Sequence, residues 1–518
     1  MKVGMYNRWL ATLGGGEKYS LAIAAYLSQN HDVHVISHQK VSKEEAASRL
    51  NLDLDRVQFD VIPSRSSIEL KPITGEFDLF INASFMEFLP SIAPKSVAII
   101  YFPAPLEGGG HPRLRYRLGW AMKRWFMIPT LEEGFVRIKS SAGRRNIIEA
   151  NPRARLKLPL SSKPYHLSFE LASQAPEKQA VDLILDGRVI DRVLLGGKGE
   201  LIPVGVNVPG SPNRVRELVI EPVGVDPDSS QQPCLDLAQV RVMTPRNGLF
   251  RAAFGSLLGA YGVRFQLLPL QHSSILDQMV TYDSLWAISE YTRQWIETYW
   301  GIESPILYPP VDVEKFTPKP KKNQILNVGR FFAGDHNKKH LVMIAAFKEM
   351  VDAGLKGWEF HLAGGTTPGD VHQKYLSDVI EQAAGYPITI HPDLPYPQLL
   401  ELYNQSAIYW HASGYGEDEN RDPVKFEHFG ITTVEGMAAG CVPVVIGKGG
   451  QIEIVHHGQD GFLWYSTAQL KSLSSNLIEN PGLRQKLAAN AVISSRNFSL
   501  SKFYQRVHAL LAMIDVKE

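Results

Sequence analysis

Short apolar runs alternate with helical segments in two separate parts of this 518-residue chain. In the first part, runs such as Val33 to Ser37 and Phe77 to Asn82 alternate with segments of helical periodicity. The same alternation resumes after Tyr308, with runs such as Ile325 to Arg330 and Ile408 to His411. Strands that alternate with helices form parallel sheets covered by helices on both faces. We therefore predict an α/β chain with two such domains.

A block with a different periodicity separates the two parts. Between about Asn151 and Thr244 apolar residues recur at every second position, as in Val181 to Leu185, and turn signals such as Asp186-Gly187 divide the runs. Several short strands at close spacing favour an antiparallel sandwich. Because the alternation resumes directly afterwards, with a helix expected over 249–261, a strand over 284–289 and a helix over 291–300, the block is predicted to be an insertion. The expected organisation is a first domain of residues 1–150 and 246–300, an inserted all-β sandwich of residues 152–245, a second domain of residues 301–495, and a C-terminal helix, residues 496–518, packed on the first domain.

The composition is that of an ordinary globular protein without a marked charge preference. Apolar residues make up 44% of the chain and the net charge is +1, which argues for neither a nucleic acid nor an acidic partner. The two cysteines, Cys234 and Cys441, cannot form a disulfide framework and indicate a reducing compartment. The N-terminus lacks the apolar core of a signal peptide, and no apolar stretch is long enough to span a bilayer. We expect a cytoplasmic protein.

Residues 111–127 interleave basic side chains, such as Arg113 and Lys123, with aromatic ones, such as Trp120 and Trp125. This pattern fits a basic amphipathic helix that lies on a membrane surface. It fits equally well an ordinary helix at the rim of a domain. In the first case the protein would work at the inner face of the membrane, as a peripheral partner of the lipid surface.

The stretch from Phe426 to Val445 reads as an acidic loop, a short helix and a buried strand. Thr432 is the expected N-cap, and Gly440 is suited to end the helix in a left-handed conformation. The first turn of such a helix carries unpaired N–H groups and can hold a phosphate. Glu435 fits a capping box with Thr432, whereas Glu427 fits a solvated loop. Alternatively, both carboxylates line a cleft and accept hydrogen bonds from sugar hydroxyls.

Two cations follow the strand Ile325 to Arg330. Arg330 lies at the strand end, where doubly wound folds bind ligands, and Lys338 precedes a helix. Together they could neutralise a diphosphate, Arg330 through its forked donors and Lys338 as a point charge. Taken alone, they favour ordinary surface cations.

A glycine-rich loop, Gly14-Gly15-Gly16-Glu17, joins the first strand to the first helix. Glycines let a ligand approach the backbone at a helix N-terminus. The loop is not the G-x-G-x-x-G fingerprint, and the second strand is followed by no acidic residue for a ribose, which argues against NAD.

Together these residues resemble the signature of retaining glycosyltransferases of family 4, also known as glycosyl transferase group 1. The resemblance lies in Glu427-His-Phe-Gly-Ile-Thr-Thr-Val-Glu435 and in Asn327-Val328-Gly329-Arg330 with Lys338. It extends to the segments Gly449 to Val455 and Ile288-Ser289-Glu290. It implies a GT-B fold, in which two Rossmann-like domains face each other across a cleft. The N-terminal domain would bind the acceptor, and the C-terminal domain would bind most of the nucleotide-sugar donor.

The resemblance also implies roles for individual residues. Arg330 and Lys338 would hold the donor diphosphate, Glu427 would contact the donor sugar and Glu435 the ribose; Glu427, Arg330 and Lys338 would be catalytic. The remaining donor-binding residues would be Gly15, Gly16, Gly329, Phe429, Gly430, Ile431 and Thr432. The acceptor would be a glycan or a lipid-linked saccharide.

The mechanism implied is sugar transfer with retention, without a metal or another cofactor. The departing phosphate oxygen can take the acceptor proton, so a dedicated base is not needed. One departure from the family concerns a His that relatives often carry near Ile100 to Pro103, where this chain has Tyr101 and Phe102. The acidic groups Asp53-Leu54-Asp55 and Glu417-Asp418-Glu419 are expected to be solvated loop carboxylates.

Two other classes of function remain open on the sequence alone. A nucleotide-sugar epimerase or isomerase would also bind the donor, but it would need titratable groups placed for proton transfer at the sugar. A carbohydrate-binding protein without turnover would use the β-rich block as its working part. Fold alone does not decide among the three.

Overall fold

The structure of the chain is a computed structural model that describes most of the 518 residues. The residues outside the description are 64–66, 88, 106–126, 128, 141–145, 198, 212–214, 226–233, 244–269, 272–278, 280 and 517–518. The basic and aromatic segment 111–127, apart from Met127, and a helix expected over 249–261 therefore lie outside the described residues.

The first domain is built on a six-stranded parallel sheet. Numbered along the chain, its strands are β1 (Lys2–Tyr6), β2 (Asp32–Ser37), β3 (Val57–Val61), β4 (Leu79–Asn82), β5 (Lys95–Ile100) and β15 (Ser284–Ala287). Their order in the sheet is β15-β5-β4-β1-β2-β3. The helices of this domain are α1 (Gly15–Leu27), α2 (Lys43–Leu50), α3 (Ser67–Thr74) and α4 (Glu290–Trp300). The strands of a sheet that is covered on both faces are expected to be apolar and buried. Strand β4, for example, is buried along its whole length.

The chain leaves this sheet after β5 and returns to it at β15, where Ser284 pairs with Val97 in parallel register. The strands described between β5 and β15 form an all-β unit, which is thus inserted into the first domain. Its strands are β6 (Thr130–Ser140), β7 (Asn146–Lys157), β8 (Tyr165–Ser173), β9 (Gln179–Leu185), β10 (Arg188–Leu195), β11 (Ile202–Val208), β12 (Glu217–Pro222), β13 (Leu235–Val242) and β14 (Leu270–Gln271).

All described strands of the unit belong to one sheet, ordered β10-β9-β12-β7-β13-β8-β11, with β6 pairing β7 and β14. The sheet changes partner along β7, whose residues 147–150 pair with β13 and whose residues 154–157 pair with β12. Alternate side chains of both arms enter one apolar core, for example Val204 and Val206 of β11 and Leu183 of β9. Two separately hydrogen-bonded sheets, which the expected sandwich requires, are not seen among these strands. The strands also begin at Thr130, before the expected boundary at 152, because β6 extends the edge of β7.

A buried ion network attaches the all-β unit to the first domain. Nζ of Lys71, on α3, lies 2.7 Å from a carboxylate oxygen of Glu217 on β12. Nε of Arg155, on β7, lies 2.8 Å from the other oxygen of the same carboxylate. Buried charges are costly unless they are paired, so this network favours one orientation of the unit on its host domain.

The second domain is a second six-stranded parallel sheet. Its strands are β16 (Gln324–Val328), β17 (Glu359–Gly364), β18 (Ile388–Pro392), β19 (Ile408–His411), β20 (Val442–Ile446) and β21 (Phe462–Trp464), in the order β18-β17-β16-β19-β20-β21. Its helices are α5 (His340–Asp352), α6 (Asp370–Ala383), α7 (Tyr396–Gln405), α8 (Ile431–Ala438), α9 (Thr467–Glu479) and α10 (Pro481–Ser495). Short 3-10 helices occur at Leu10–Thr12, Val313–Lys315, Pro423–Lys425, Gly449–Glu453 and Arg496–Phe498.

The last helix, α11 (Leu500–Ala512), returns to the first domain. Its buried side chains Phe503 and Val507 are part of the core that contains Leu21 of α1, and Tyr504 stacks on Tyr26 at a centroid distance of 5.2 Å. The chain thus crosses between the domains twice. Within the described residues, no helix combines the length and the apolar character needed to cross a membrane.

Candidate active site

The candidate site lies at the carboxyl ends of the strands of the second domain, where open α/β sheets bind ligands. Strand β16 ends just before Gly329 and Arg330, β19 ends at His411, and the loop before α8 carries Glu427. These residues are far apart in the sequence, and the parallel order of β16 and β19 makes them neighbours.

Glu427 and Lys338 form an ion pair at the centre of the site. Nζ of Lys338 lies 2.6 Å from Oε2 of Glu427, and the two side chains are 21% and 19% exposed. Nε2 of His411 lies 2.9 Å from the same oxygen. Burial alone would raise the pKa of Glu427, but Lys338 and His411 outweigh it and hold the pKa well below its usual range. Glu427 is therefore an ionised acceptor and not the solvated loop carboxylate that its sequence context also allowed.

His411 was not among the residues that the sequence analysis selected. It is the last residue of β19 and follows Ile408, Tyr409 and Trp410, all of which are buried. The available signal was one imidazole at the carboxyl end of an otherwise apolar strand. That signal is weak without knowing which loop faces the strand end.

Gly329 makes room for Lys338, and Gly364 makes room for the backbone of Gly329. A Cβ atom added at Gly329 would lie 2.6 Å from Cγ of Lys338, and one added at Gly364 would overlap the carbonyl of Gly329. The stem of Lys338 therefore crosses directly over the end of β16, which brings its ammonium group to Glu427. The glycine of the Asn327-Val328-Gly329-Arg330 segment thus has a steric explanation.

Arg330 is exposed at the end of β16. Its guanidinium lies 5.7 Å from the ring centroid of Phe332, and no ion pair of Arg330 is found within the described part of the chain. Arg330 and Lys338 both act on His336, since burial first and then both cations lower the pKa of this histidine. The two predicted diphosphate ligands thus share one neighbourhood.

Helix α8 begins at Ile431 with Gly430 as its N-cap, so the prediction that Thr432 is the N-cap is wrong. Gly430 has φ +121°, and a Cβ atom there would overlap the side-chain amide of Gln451. The hydroxyl of Thr432 instead accepts a hydrogen bond from Tyr409 at 2.7 Å. Among the described residues no side chain caps the helix, so the N–H groups of its first turn lack a side-chain acceptor. Gly440 ends the helix with φ +79°, as expected.

The capping box expected for Glu435 is also absent. Oε2 of Glu435 accepts a hydrogen bond from the hydroxyl of Tyr403 at 2.8 Å. Burial raises the pKa of Glu435, while Tyr403 and Lys18 of the first domain oppose the rise. Nζ of Lys18 also lies 3.8 Å from Oδ2 of Asp312. Because Lys18 belongs to the first domain and Asp312 to the second, Glu435 lies at the boundary between the domains.

The glycine-rich loop of the first domain faces α8. Helix α1 begins at Gly15, and the carboxylate of Glu17 accepts a hydrogen bond from the N–H of Gly14 at 2.9 Å. A Cβ atom added at Gly15 would lie 2.9 Å from Cδ1 of Ile431. The carbonyl of Gly16 accepts a hydrogen bond from Tyr101 at 2.9 Å. The structure thus brings Gly15 and Gly16 of one domain to the α8 N-terminus of the other.

The segment from Ile100 to Pro103 contributes a buried aromatic contact between the two domains. Phe102 stacks on His428 with a centroid distance of 4.2 Å. Burial lowers the pKa of His428 to about 3, so this imidazole is neutral near pH 7. A second aromatic contact across the cleft joins Phe85 to His336 at 6.3 Å.

Comparison with known proteins decides the family of the second domain. Residues 311–492 match the family model described as glycosyl transferases group 1. This domain is a group 1 glycosyltransferase domain. The chain is also similar to a GDP-Man:Man(3)GlcNAc(2)-PP-Dol alpha-1,2-mannosyltransferase from Xenopus laevis. The two are 25% identical over 246 residues, and the match covers 43% of this chain and 46% of the relative. An alpha-1,3/1,6-mannosyltransferase ALG2 from Dictyostelium discoideum is 32% identical over 88 residues, 17% of this chain and 21% of the relative. The chain thus matches less than half the length of these curated relatives.

Solved structures share the two-domain α/β fold. A glycosyltransferase from Rickettsia africae ESF-5 superposes with a TM-score of 0.51 at 13% identity, covering 100% of this chain and 99% of that one. Anabaena Alr3699/HepE in complex with UDP and glucose superposes with a TM-score of 0.50 at 12% identity, covering 99% and 100%. With the two parallel sheets described above, these similarities establish a GT-B α/β fold.

One predicted ligand of the group 1 domain points away from the cleft. The ring of Phe429 is buried between Tyr308, at a centroid distance of 5.7 Å, and Phe498, at 5.2 Å. Phe429 therefore packs in the core beneath α8, and its ring is not a ligand surface. Its neighbour Gly430 is also buried, whereas the following Ile431 is half-buried.

The acidic loop of the group 1 domain is not simply solvated, contrary to expectation. Glu417 forms ion pairs with Lys339 at 2.7 Å and Lys425 at 3.1 Å, and Glu419 accepts from the N–H of Gly449 at 3.1 Å. Asp418 is exposed, as are Asp53 and Asp55, which matches the expectation for those three. The loop is thus tied to the residue that follows Lys338.

The two outer segments of the resemblance meet at the domain boundary. The carboxylate of Glu453, in the group 1 domain, accepts hydrogen bonds from the N–H groups of Glu290 and Tyr291 at 2.7 and 3.3 Å. These N–H groups belong to the first turn of α4 in the first domain. Burial raises the pKa of Glu453 to about 7 despite these bonds. Glu453 thus joins the domains through a helix N-terminus.

Proposed function

We propose that the chain moves a sugar from a nucleoside-diphosphate donor to an acceptor hydroxyl with retention of the anomeric configuration. The observation that carries this proposal is the group of charges around Glu427. The ionised carboxylate of Glu427, three residues before the N-cap of α8, pairs with the ammonium of Lys338, and the guanidinium of Arg330 acts on the same histidine, His336, as Lys338 does. Such a group suits a ligand that carries both sugar hydroxyls and a diphosphate.

In this proposal the diphosphate lies between Arg330, Lys338 and the first turn of α8. Negative charge develops on the departing diphosphate, and fixed cations and N–H groups stabilise the transition state. The oxygen of Glu427 that faces away from Lys338 accepts a hydrogen bond from the donor sugar. Gly15 and Gly16 complete the phosphate site from the first domain, and Glu435 binds the ribose.

The acceptor proton leaves with the diphosphate. A non-bridging oxygen of the departing diphosphate can take the proton from the acceptor hydroxyl. The hydroxyl then attacks the sugar from the same face that the diphosphate leaves, so the anomeric configuration is retained. Burial lowers the pKa values of His336 and His428, the two histidines that contact Phe85 and Phe102 of the first domain. Both are neutral near pH 7, and neither is needed as a base. The cations also take the place of a metal ion, so we propose a metal-independent reaction.

The donor and the acceptor are proposed from the relatives. Both curated relatives are named as mannosyltransferases, and one name contains the donor GDP-Man and an acceptor linked to PP-Dol. We therefore propose GDP-mannose as the first donor to test and a glycan or lipid-linked saccharide as the acceptor. UDP-glucose is the second donor, since Alr3699/HepE is described in complex with UDP and glucose.

A donor screen tests the proposal. Released nucleoside diphosphate is measured for GDP-mannose, UDP-glucose and related donors, with and without saccharide acceptors and with EDTA present throughout. Transfer to an acceptor, with an unchanged anomeric configuration by proton NMR, supports it. Product formed from the donor alone would indicate an epimerase or isomerase. Binding without turnover would indicate a carbohydrate-binding protein, and inhibition by EDTA would contradict the metal-free mechanism.

A further inference from the structure

Both contacts of the Glu427 carboxylate fall on one of its two oxygens. Lys338 and His411 both bind Oε2, at 2.6 and 2.9 Å. No hydrogen bond to Oε1 is found within the described part of the chain. An ionised carboxylate has acceptor sites on both oxygens, so the arrangement leaves Oε1 for another donor.

The surroundings of Nδ1, on the side of the His411 ring that faces away from Glu427, determine the protonation state of the imidazole. His411 is 1% exposed, and its Nδ1 has no hydrogen-bond partner among the described residues. A neutral imidazole carries one N–H, and only a protonated Nε2 can donate to the carboxylate. A second proton on Nδ1 would be a buried donor without a partner, which is costly. Burial, the largest effect, also lowers the pKa of His411. The imidazole is therefore a neutral Nε2–H donor.

Lys338 by itself does not define the direction of the carboxylate. Its ammonium is a point charge with three rotatable donors on a flexible stem, and in the proposed reaction it also serves the diphosphate. His411 ends a buried strand and has one donor in a fixed direction. The orientation of Glu427 during the reaction thus depends on the histidine.

We propose that His411 is a positioning residue: its Nε2–H holds Oε2 of Glu427 so that Oε1 is aimed at a hydroxyl of the donor sugar. This inference rests on the proposed function. Since Oε1 only accepts hydrogen bonds, the sugar must offer a hydroxyl hydrogen at the position that meets it. His411 therefore contributes to sugar selection without touching the sugar.

Three variants test the role in the full chain. His411→Leu removes the donor, whereas His411→Gln retains an N–H near the position of Nε2. His361→Leu is the matched control, because His361 is also a buried histidine of the same sheet but contacts His391 and Glu359. With the donor found by the screen, we expect His411→Leu to lower kcat by about 10–100-fold, the range for a lost hydrogen bond to a charged group. Affinity for GDP or UDP alone should change less than about threefold, and His411→Gln should recover most of the activity.

A panel of mono-deoxy and deoxyfluoro donors provides the decisive readout. The wild type should lose activity sharply when one hydroxyl is removed, and His411→Leu should lose most of that discrimination at the same position. Unchanged discrimination in His411→Leu, or equal effects of His411→Leu and His361→Leu, would overturn the role of His411. If the wild type transfers no sugar from any donor, the proposed function is wrong, and the role of His411 that rests on it is wrong as well.

A measurement without turnover tests the arrangement separately. Histidine 15N NMR of the wild-type chain should show His411 as the neutral Nε2–H tautomer between about pH 6 and 8, given that a free imidazole titrates near 6.5. Its Nε2 shift should move in Glu427→Gln. An Nδ1–H tautomer or an imidazolium in this range would overturn the proposal even in an active enzyme.

Discussion

Gly15 and Ile431 face each other across the cleft, so closely that any side chain on residue 15 would have to displace the end of the Ile431 side chain. A Cβ atom at Gly15 would lie 2.9 Å from Cδ1 of Ile431, closer than such atoms approach in real structures. The two residues begin helices in different domains. The close approach brings two helix N-termini, each with partial positive charge, to one place.

This contact predicts a graded effect of side-chain size at residue 15. Gly15→Ala requires a small movement of Ile431, whereas Gly15→Leu should oppose domain closure by about 1–3 kcal/mol, the usual cost of overpacking. We expect nucleoside-diphosphate affinity and kcat/KM to fall slightly in Gly15→Ala and more in Gly15→Leu, with little change in Tm. Gly482→Ala is the control, since a Cβ atom there meets no neighbour. Equal kinetics for Gly15→Leu and Gly482→Ala would contradict the cleft geometry.

The variant Glu435→Gln distinguishes a ligand from a structural role. Glu435 caps no helix and bonds to Tyr403, so a ribose contact predicts weaker binding of the nucleoside diphosphate with a nearly unchanged Tm. Calorimetric titration with GDP and UDP measures the affinity. Glu479→Gln, an exposed change at the end of α9, is the control. Unchanged affinity with a lowered Tm would assign Glu435 to stability alone.

Glu453 predicts a pH dependence of stability. Its pKa is about 7 in the folded chain and near 4.5 when unfolded, so the folded state binds more protons between these values. The contribution of this group to stability therefore rises as pH falls from about 7 towards 4.5 and is lost above 7. We expect the free energy of unfolding of the wild type, measured relative to Glu453→Gln, to increase as the pH falls from 7 to 5. Denaturant titrations at pH 5, 6, 7 and 8 measure it. Parallel curves for the two proteins would show that Glu453 does not titrate there.

The membrane proposal concerns residues 111–127 and rests on their sequence. Basic residues would be drawn to anionic headgroups, and the effect should weaken with salt. We expect co-sedimentation with vesicles of phosphatidylserine and phosphatidylcholine, but not with phosphatidylcholine alone. Changing Arg113, Arg117, Lys123 and Arg124 to Ser should reduce binding. Failure of the wild type to bind anionic vesicles at low salt would favour a rim helix and an acceptor in solution.

The sequence predicts the α/β elements well, because apolar periodicity reports burial directly. The strand at Ile408 to His411 agrees with the structure, and the strand and helix that follow Glu427 lie within two residues of their expected bounds. Local rules failed where tertiary contacts supply the partners. Thr432 is a good N-cap by type, but its hydroxyl is engaged by Tyr409, and the backbone turns at Gly430.

The chemistry of the site was only partly accessible from the sequence. Motif spacing identified Glu427 and Lys338, but their ion pair joins residues from two different loops, and spacing does not reveal it. The same holds for His411, whose role depends on which loop crosses the end of β19, and for Glu417, whose lysine partners are not adjacent to it. Phe429 lies within the signature, yet its ring belongs to the core.

The central claim is that Arg330 and Lys338 stabilise a departing diphosphate. Its most direct test is the release of nucleoside diphosphate in the presence of acceptor by the wild type, Arg330→Ala and Lys338→Ala. Arg188→Ala, an exposed change on β10, is the control. We predict that each site variant loses about 2–4 kcal/mol of transition-state stabilisation in kcat/KM, as expected for one electrostatic donor, while the control matches the wild type. Near wild-type turnover in both site variants would contradict the account.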